Sequence, residues 1–73
     1  MTLPEKIGKV IVSLRKQRDI SQETFAYESD IDRRYMSDIE NGKRNISIEK
    51  IERICNNLEI KLSEFFLLVE KIE

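Results

Sequence analysis

The chain of 73 residues contains no histidine, one cysteine, one proline and two glycines. With Cys55 alone, a disulfide within the chain is impossible, and without histidine a Cys/His metal site is excluded as well. The usual nucleophile–base pairings of enzymes are missing for the same reason. Fourteen carboxylates remain, but they are spread among thirteen Lys and Arg, so neither an enzyme nor a cofactor is expected. No apolar run approaches the roughly 20 residues that a membrane helix needs. The opening MTLPEKIGKV lacks the apolar stretch and small-residue cleavage site of a signal peptide. An unpaired cysteine suits a reducing compartment, so the expected location is cytoplasmic, with no membrane or small-molecule partner.

What is present is helical. A composition of 40% hydrophobic and 37% charged residues fits one all-α globular domain over residues 1–73. A domain of this size buries only about 60% of the surface of its unfolded chain. With disulfides and metals excluded, a partner subunit is the remaining source of added stability. Leu3, Ile7, Val10, Ile11 and Leu14 recur on one helical face, with Thr2 and Glu5 spaced as a capping box and Pro4 tolerated in the first turn. Three later helices share a start signal: Ile20-Ser21, Ile31-Asp32 and Ile46-Ser47 each pair a cap with a preceding isoleucine. Each isoleucine has an apolar partner five residues on, at Phe25, Met36 and Ile51, which is the spacing of a hydrophobic staple. The fourth helix carries Ile48, Ile51, Ile54, Cys55 and Leu58 on one side, and a fifth spans roughly residues 62–72. Cys55 on that stripe is expected in the core. Gly42 fits the left-handed position that ends the third helix. Only residues 29–32 separate the second and third helices, which forces a sharp angle between them.

The stretch SQETFAYESDIDRRYMSDIENGKRNISIEKIERICNNLEIKLSEFF resembles the lambda-repressor-like, Xre-family helix-turn-helix domain. IDRRYMSDIENGKRNIS together with the later LEI and SEFF is most similar to controller proteins of restriction–modification systems. The resemblance implies a compact five-helix domain that binds operator DNA as a dimer. It places Gln22 at the start of the second helix as a phosphate contact, and Ala26 where the two helices cross. It makes Met36 and Ile39 core residues of the recognition helix, and Arg33, Arg34, Ser37 and Asp38 its DNA-facing positions. It also implies a buried ion pair between Arg15 and Glu40. The turn departs from the family pattern, with Asp30 where glycine is usual.

Recognition helices present their first residues to base edges, and the arginine fork meets guanine O6 and N7 together, worth about 1–3 kcal/mol of discrimination. Arg33 is the preferred guanine reader, and Arg34 reads a base or binds phosphate. Against this, cations in a first helical turn are disfavoured by roughly 0.3–1 kcal/mol each, so a solvated, locally paired surface is the alternative. Tyr35 either contacts the DNA backbone or a thymine methyl, or is simply a half-buried aromatic. Ser37 bonds phosphate or faces water. Asp38 accepts from cytosine or restrains a neighbouring arginine. Lys43, Arg44 and Asn45 form either a phosphate clamp or a solvated loop, with Gln22 and Thr24 gripping the backbone from the other side through free helix-terminal N–H groups. Net charge is −1, but residues 1–44 hold nine Lys/Arg against eight Asp/Glu, and residues 45–73 hold four against six. The acidic excess lies in the last third, expected to face away from DNA.

In FFLLV, from Phe65 to Val69, Phe65, Leu68 and Val69 share a helical face with Ile72, whereas Leu67 projects from the other side. A two-fold dimer interface built from Ile60, Phe66, Leu67 and their neighbours is therefore expected, the alternative being one stray exposed leucine. Such a dimer would set two recognition helices about 34 Å apart on a palindromic operator. The expected function is a DNA-binding transcription regulator, with a controller protein preferred. The alternatives are a phage-type repressor or host switch regulator, or an antitoxin whose main partner is a toxin. An antitoxin usually carries an extra toxin-binding segment, and almost no sequence lies beyond the five expected helices, which argues against that reading.

Overall fold

Four of the five helices begin where a side chain takes up a free N–H group of the first turn. The computed structural model describes residues 1–73 and holds five helices and no strand: α1 Leu3–Gln17, α2 Gln22–Glu28, α3 Arg33–Glu40, α4 Ile48–Asn57 and α5 Leu62–Lys71. At α1 the capping box is complete: Thr2 Oγ1 accepts from the Glu5 N–H, and Glu5 Oε1 accepts from the Thr2 N–H at 2.7 Å. Ser21 Oγ accepts from the Thr24 N–H, Asp32 Oδ1 from the Arg34 and Tyr35 N–H groups, and Ser47 Oγ from the Lys50 N–H. The last helix starts at Lys61, whose side chain has no acceptor. There the Glu64 carboxylate reaches back to the Lys61 N–H instead.

The ends of α1 to α4 share one device. Asp19, Asp30 and Glu59 adopt left-handed φ values of 56°, 56° and 54°, and Gly42 one of 72°. The N–H of the following residue then returns to a carbonyl five positions back: Ile20 to Arg15, Ile31 to Ala26, Lys43 to Asp38 and Ile60 to Cys55. After three of these turns the next residue is an isoleucine that enters or abuts the core, and the one after it starts the next helix. The staple thus occurs four times, the fourth being Ile60 with Phe65 five residues on. It is less visible in the sequence because its cap position is a lysine.

The core gathers Ile7, Val10 and Ile11 of α1, Phe25 and Ala26 of α2, Met36 and Ile39 of α3, Ile51, Ile54 and Cys55 of α4, and Phe65 and Val69 of α5, with Ile31 and Leu58 from the connections. Leu14, Leu68 and Ile72 pack against it half-buried, but two residues assigned to apolar faces stand clear of it: Leu3 is 58% exposed and Ile48 81% exposed. Both are the first residue of their helix, and a helical side chain leans toward its own N-terminus. At that end each side chain projects past the packed surface.

Packing of α1 on α3, α2 on α3, and α5 on both α1 and α4 sets the orientation of α3. The closest approach is at Gly8, where a Cβ would lie 2.5 Å from the Glu40 carbonyl oxygen and 2.6 Å from that of Ile39. The α2–α3 turn is held from α4: Asn57 Nδ2 donates to Ser29 Oγ at 3.0 Å, and Arg53 Nη1 donates to the Asp30 carbonyl at 3.1 Å. Ser29 is buried, so its hydroxyl needs that partner. No helix is long and apolar enough to cross a membrane.

Candidate nucleic-acid interface

The exposed face of α3 follows from its length of eight residues and its two buried anchors, Met36 and Ile39. At about 100° per residue, Arg34 lies opposite those anchors, with Ser37 and Asp38 on either side of it. Arg33 falls on one flank and Tyr35 on the other. The neighbours agree with this arrangement. Arg33 Nη1 reaches Glu23 Oε2 of α2 at 3.3 Å, with both side chains largely exposed. Tyr35, half-buried, carries the Arg44 guanidinium over its ring at 4.7 Å and the Lys50 ammonium of α4 at 4.8 Å. Arg34 is exposed and its side chain has no partner, while its backbone N–H is held by Asp32. Asp32 offsets the positive end of the helix on which both arginines sit.

Asp38 is committed to an arginine, and that arginine is Arg44: Nε donates to Oδ2 at 3.2 Å. Ser37 is half-buried on the same face. Lys43 is exposed, its backbone N–H closing the end of α3. The basic trio after α3 divides. Arg44 turns onto Tyr35 and Asp38, whereas Asn45 borders an apolar cleft with Leu3, Ile7 and Phe66. On α2, the Thr24 N–H is not free for phosphate, because Ser21 already caps it; the Thr24 side chain is exposed.

Gln22 joins a network instead of standing alone. Arg15 Nε and Nη2 donate to Glu40 Oε2 and Oε1 at 2.9 and 3.0 Å, a two-point ion pair. Arg15 Nη1 donates to the Ile20 carbonyl at 2.9 Å, and Gln22 Nε2 donates to Glu40 Oε1 at 2.9 Å. The pair is nearly dry, the Arg15 and Glu40 side chains being 11% and 5% exposed. It ties the last residue of α3 to α1 and to the start of α2. One Gln22 amide hydrogen is left for another acceptor.

Sequence reasoning missed Lys50, Gly8, Asn57 and Arg53. Lys50 belongs to the acidic last third expected to face away from DNA, yet it lies against α3. No spacing rule links it to Tyr35, which is fifteen residues earlier in the chain. The expected dimer residues are also spread out. Phe66 lines the cleft with Leu3 and Ile51, Ile60 lines another with Leu14 and Leu58, and Leu67 stands 53% exposed on the surface. Leu62, at the start of α5, is a further exposed apolar residue.

A fold of this kind, with a short capped helix held across a second by a tight turn, is that of a helix-turn-helix protein. The helix-turn-helix family model matches residues 11–65, and the chain belongs to that family. Among curated proteins, the control protein C.MunI of Mycoplasma sp is 49% identical over 67 residues, covering 90% of each chain. The control protein C.BamHI of Bacillus amyloliquefaciens is 46% identical over 55 residues, covering 74% of this chain and 68% of that one. Among solved structures, the restriction–modification controller protein C.Esp1396I, as a tetramer in complex with its natural 35 base-pair operator, superposes with a TM-score of 0.87. It is 37% identical, covering 97% of this chain and 93% of that one.

Proposed function

We propose that this chain is a sequence-specific DNA-binding transcription regulator, a control protein of a restriction–modification system, that acts in the cytoplasm and binds a palindromic operator as a homodimer. The observation that carries this is the solvent face of α3, where Arg33 and Arg34 stand at the start of a helix fixed by its cap, by two core anchors and by the Arg15–Glu40 pair. Arginines held this way can meet guanine in the major groove. Ser37 and Asp38 lie one turn further along to meet adjacent bases. Lys43, Arg44, Tyr35, Gln22 and Thr24 flank that face and, with Asn45 in the loop beyond it, serve the sugar–phosphate backbone. The similarity to C.MunI, C.BamHI and the operator-bound C.Esp1396I supports the same role. Dimerisation falls to α5 and its approach, through Ile60, Phe66 and Leu67, because Leu67 is exposed and Phe66 and Ile60 are only half covered.

Selection of binding sites from random duplexes, repeated across a salt series, tests this. The expected result is a two-fold symmetric site whose half-sites lie about 34 Å apart, one turn of DNA. Arg33→Ala and Arg34→Ala should each relax preference at about one base pair per half-site. Recovery of no enriched sequence, or a chain that stays monomeric on sedimentation at tens of micromolar, would overturn the proposal.

A further inference from the structure

The ring of Tyr35 bears two cations, and only one of them has an anionic partner. Arg44 lies 4.7 Å from the ring centroid and is ion-paired to Asp38. Lys50 lies 4.8 Å from the same centroid, and none of the ion pairs in the molecule includes it. A tyrosine face attracts each cation. Two positive charges on one ring also repel each other, and Asp38 screens only Arg44. Lys50 is in the first turn of α4, where the helix itself disfavours a cation. Nothing in the local helix therefore rewards a positive charge at this position. What the position does provide is placement: a half-buried ring holds the ammonium beside the α3 face, with N–H donors still unsatisfied.

We propose that Lys50 is a further DNA-contacting residue, binding a backbone phosphate beside the groove read by α3, with Tyr35 as the positioning residue that holds it next to Arg44. This inference rests on the DNA-binding role proposed above and extends the interface onto α4. A phosphate bridging Lys50 and Arg44 would relieve the repulsion between them. It would also place one anchor on the far side of α3 from Glu23 and Gln22, so that the backbone is held on both flanks of the reading helix. Phosphate contacts of this kind set register without reading sequence.

The test is fluorescence anisotropy with a selected operator duplex and with a random-sequence duplex, each across a salt series. Lys50→Ala should weaken both complexes alike and reduce the slope of log affinity against log salt by about one. The preferred sequence should not change. Lys50→Arg should restore the slope, and Lys50→Gln, which keeps most of the stem without the charge, should behave like Lys50→Ala. Thermal melting by circular dichroism should show the variants folded, which a role confined to stability would not combine with a changed slope. A folded Lys50→Ala or Lys50→Gln protein with wild-type slope and affinity overturns the inference alone. Failure of the wild-type chain to bind any duplex overturns the regulator proposal and this inference with it.

Discussion

Arg15 of α1 and Glu40 of α3 face each other through two N–H···O bonds of 2.9 and 3.0 Å in a nearly dry position. Twenty-five residues separate them in the chain, and their contact fixes the end of the reading helix against the helix that carries much of the core. Removing one partner of a buried pair leaves the other charge uncompensated, which typically costs about 3–5 kcal/mol. Glu40→Gln should therefore lower the melting temperature by well over about 10 °C, given roughly 4–8 °C per kcal/mol for a domain of this length. Thermal unfolding by circular dichroism measures this, and an unchanged midpoint would mean that the pair contributes nothing to stability.

Gly8 gives a prediction with an inverted sign. In an open helix interior, Gly→Ala stabilises by roughly 0.5–1 kcal/mol. Here the added methyl would meet the backbone carbonyls of Ile39 and Glu40 at 2.5–2.6 Å. Backbone cannot move aside as a flexible side chain can, so Gly8→Ala should destabilise by about 1–3 kcal/mol. Urea denaturation should show an earlier midpoint with an unchanged slope.

Asp30 occupies the left-handed region at φ 56° and its side chain makes no hydrogen bond. That backbone state costs a non-glycine residue roughly 1–2 kcal/mol. Glycine relieves it while adding about 0.5–1 kcal/mol of unfolded-state entropy. Asp30→Gly should come out stabilising by up to about 1 kcal/mol, and Asp30→Val clearly destabilising. A pair of urea titrations would reveal either sign.

Asp38 places a carboxylate on the surface that would meet DNA and holds Arg44 there. Asp38→Asn should free Arg44 and remove one negative charge. Affinity for random-sequence duplex should rise several-fold and the salt slope steepen by up to about one. If Asp38 also accepts from a cytosine, the same variant should lose preference at one base pair of the selected site. Unchanged binding to both duplexes would show that the Arg44–Asp38 contact has no part in recognition.

Cys55 is fully covered by core, and burial pushes its thiol up to about 11. The reactive thiolate is therefore scarce at neutral pH. Labelling by a thiol reagent should be slow in the native protein and should accelerate in urea in step with unfolding. Fast labelling of the folded chain would place Cys55 in a locally open region.

Much of the fold was legible because its signals are local. A cap and a staple involve residues three to five apart, so Thr2 with Glu5, Ile20 with Phe25, Ile31 with Met36 and Ile46 with Ile51 can be read without tertiary knowledge. The same locality explains two errors. A helical wheel puts Leu3 and Ile48 on apolar faces, but it does not say where the neighbouring helix stops. The fourth staple, at Ile60, was hidden because the cap position, Lys61, has no side-chain acceptor.

By itself the sequence determined the five helices, the capped starts of the first four, the left-handed end of the third at Gly42, and the two arginines that open α3. These depend on contacts within one helical turn or across a tight connection, where chain geometry leaves little choice. Tertiary structure alone decided which charges meet. It added Gln22 to the Arg15–Glu40 pair that the family resemblance implies, gave Asp38 to Arg44, left Arg34 unpaired, and set Lys50 of α4 on the ring of Tyr35. Those pairings depend on how helices far apart in the chain cross, and the crossing is set by close approaches such as Gly8 against the end of α3. Coulombic and cation–π contacts act over a few ångströms of space, and separation along the chain does not specify that distance.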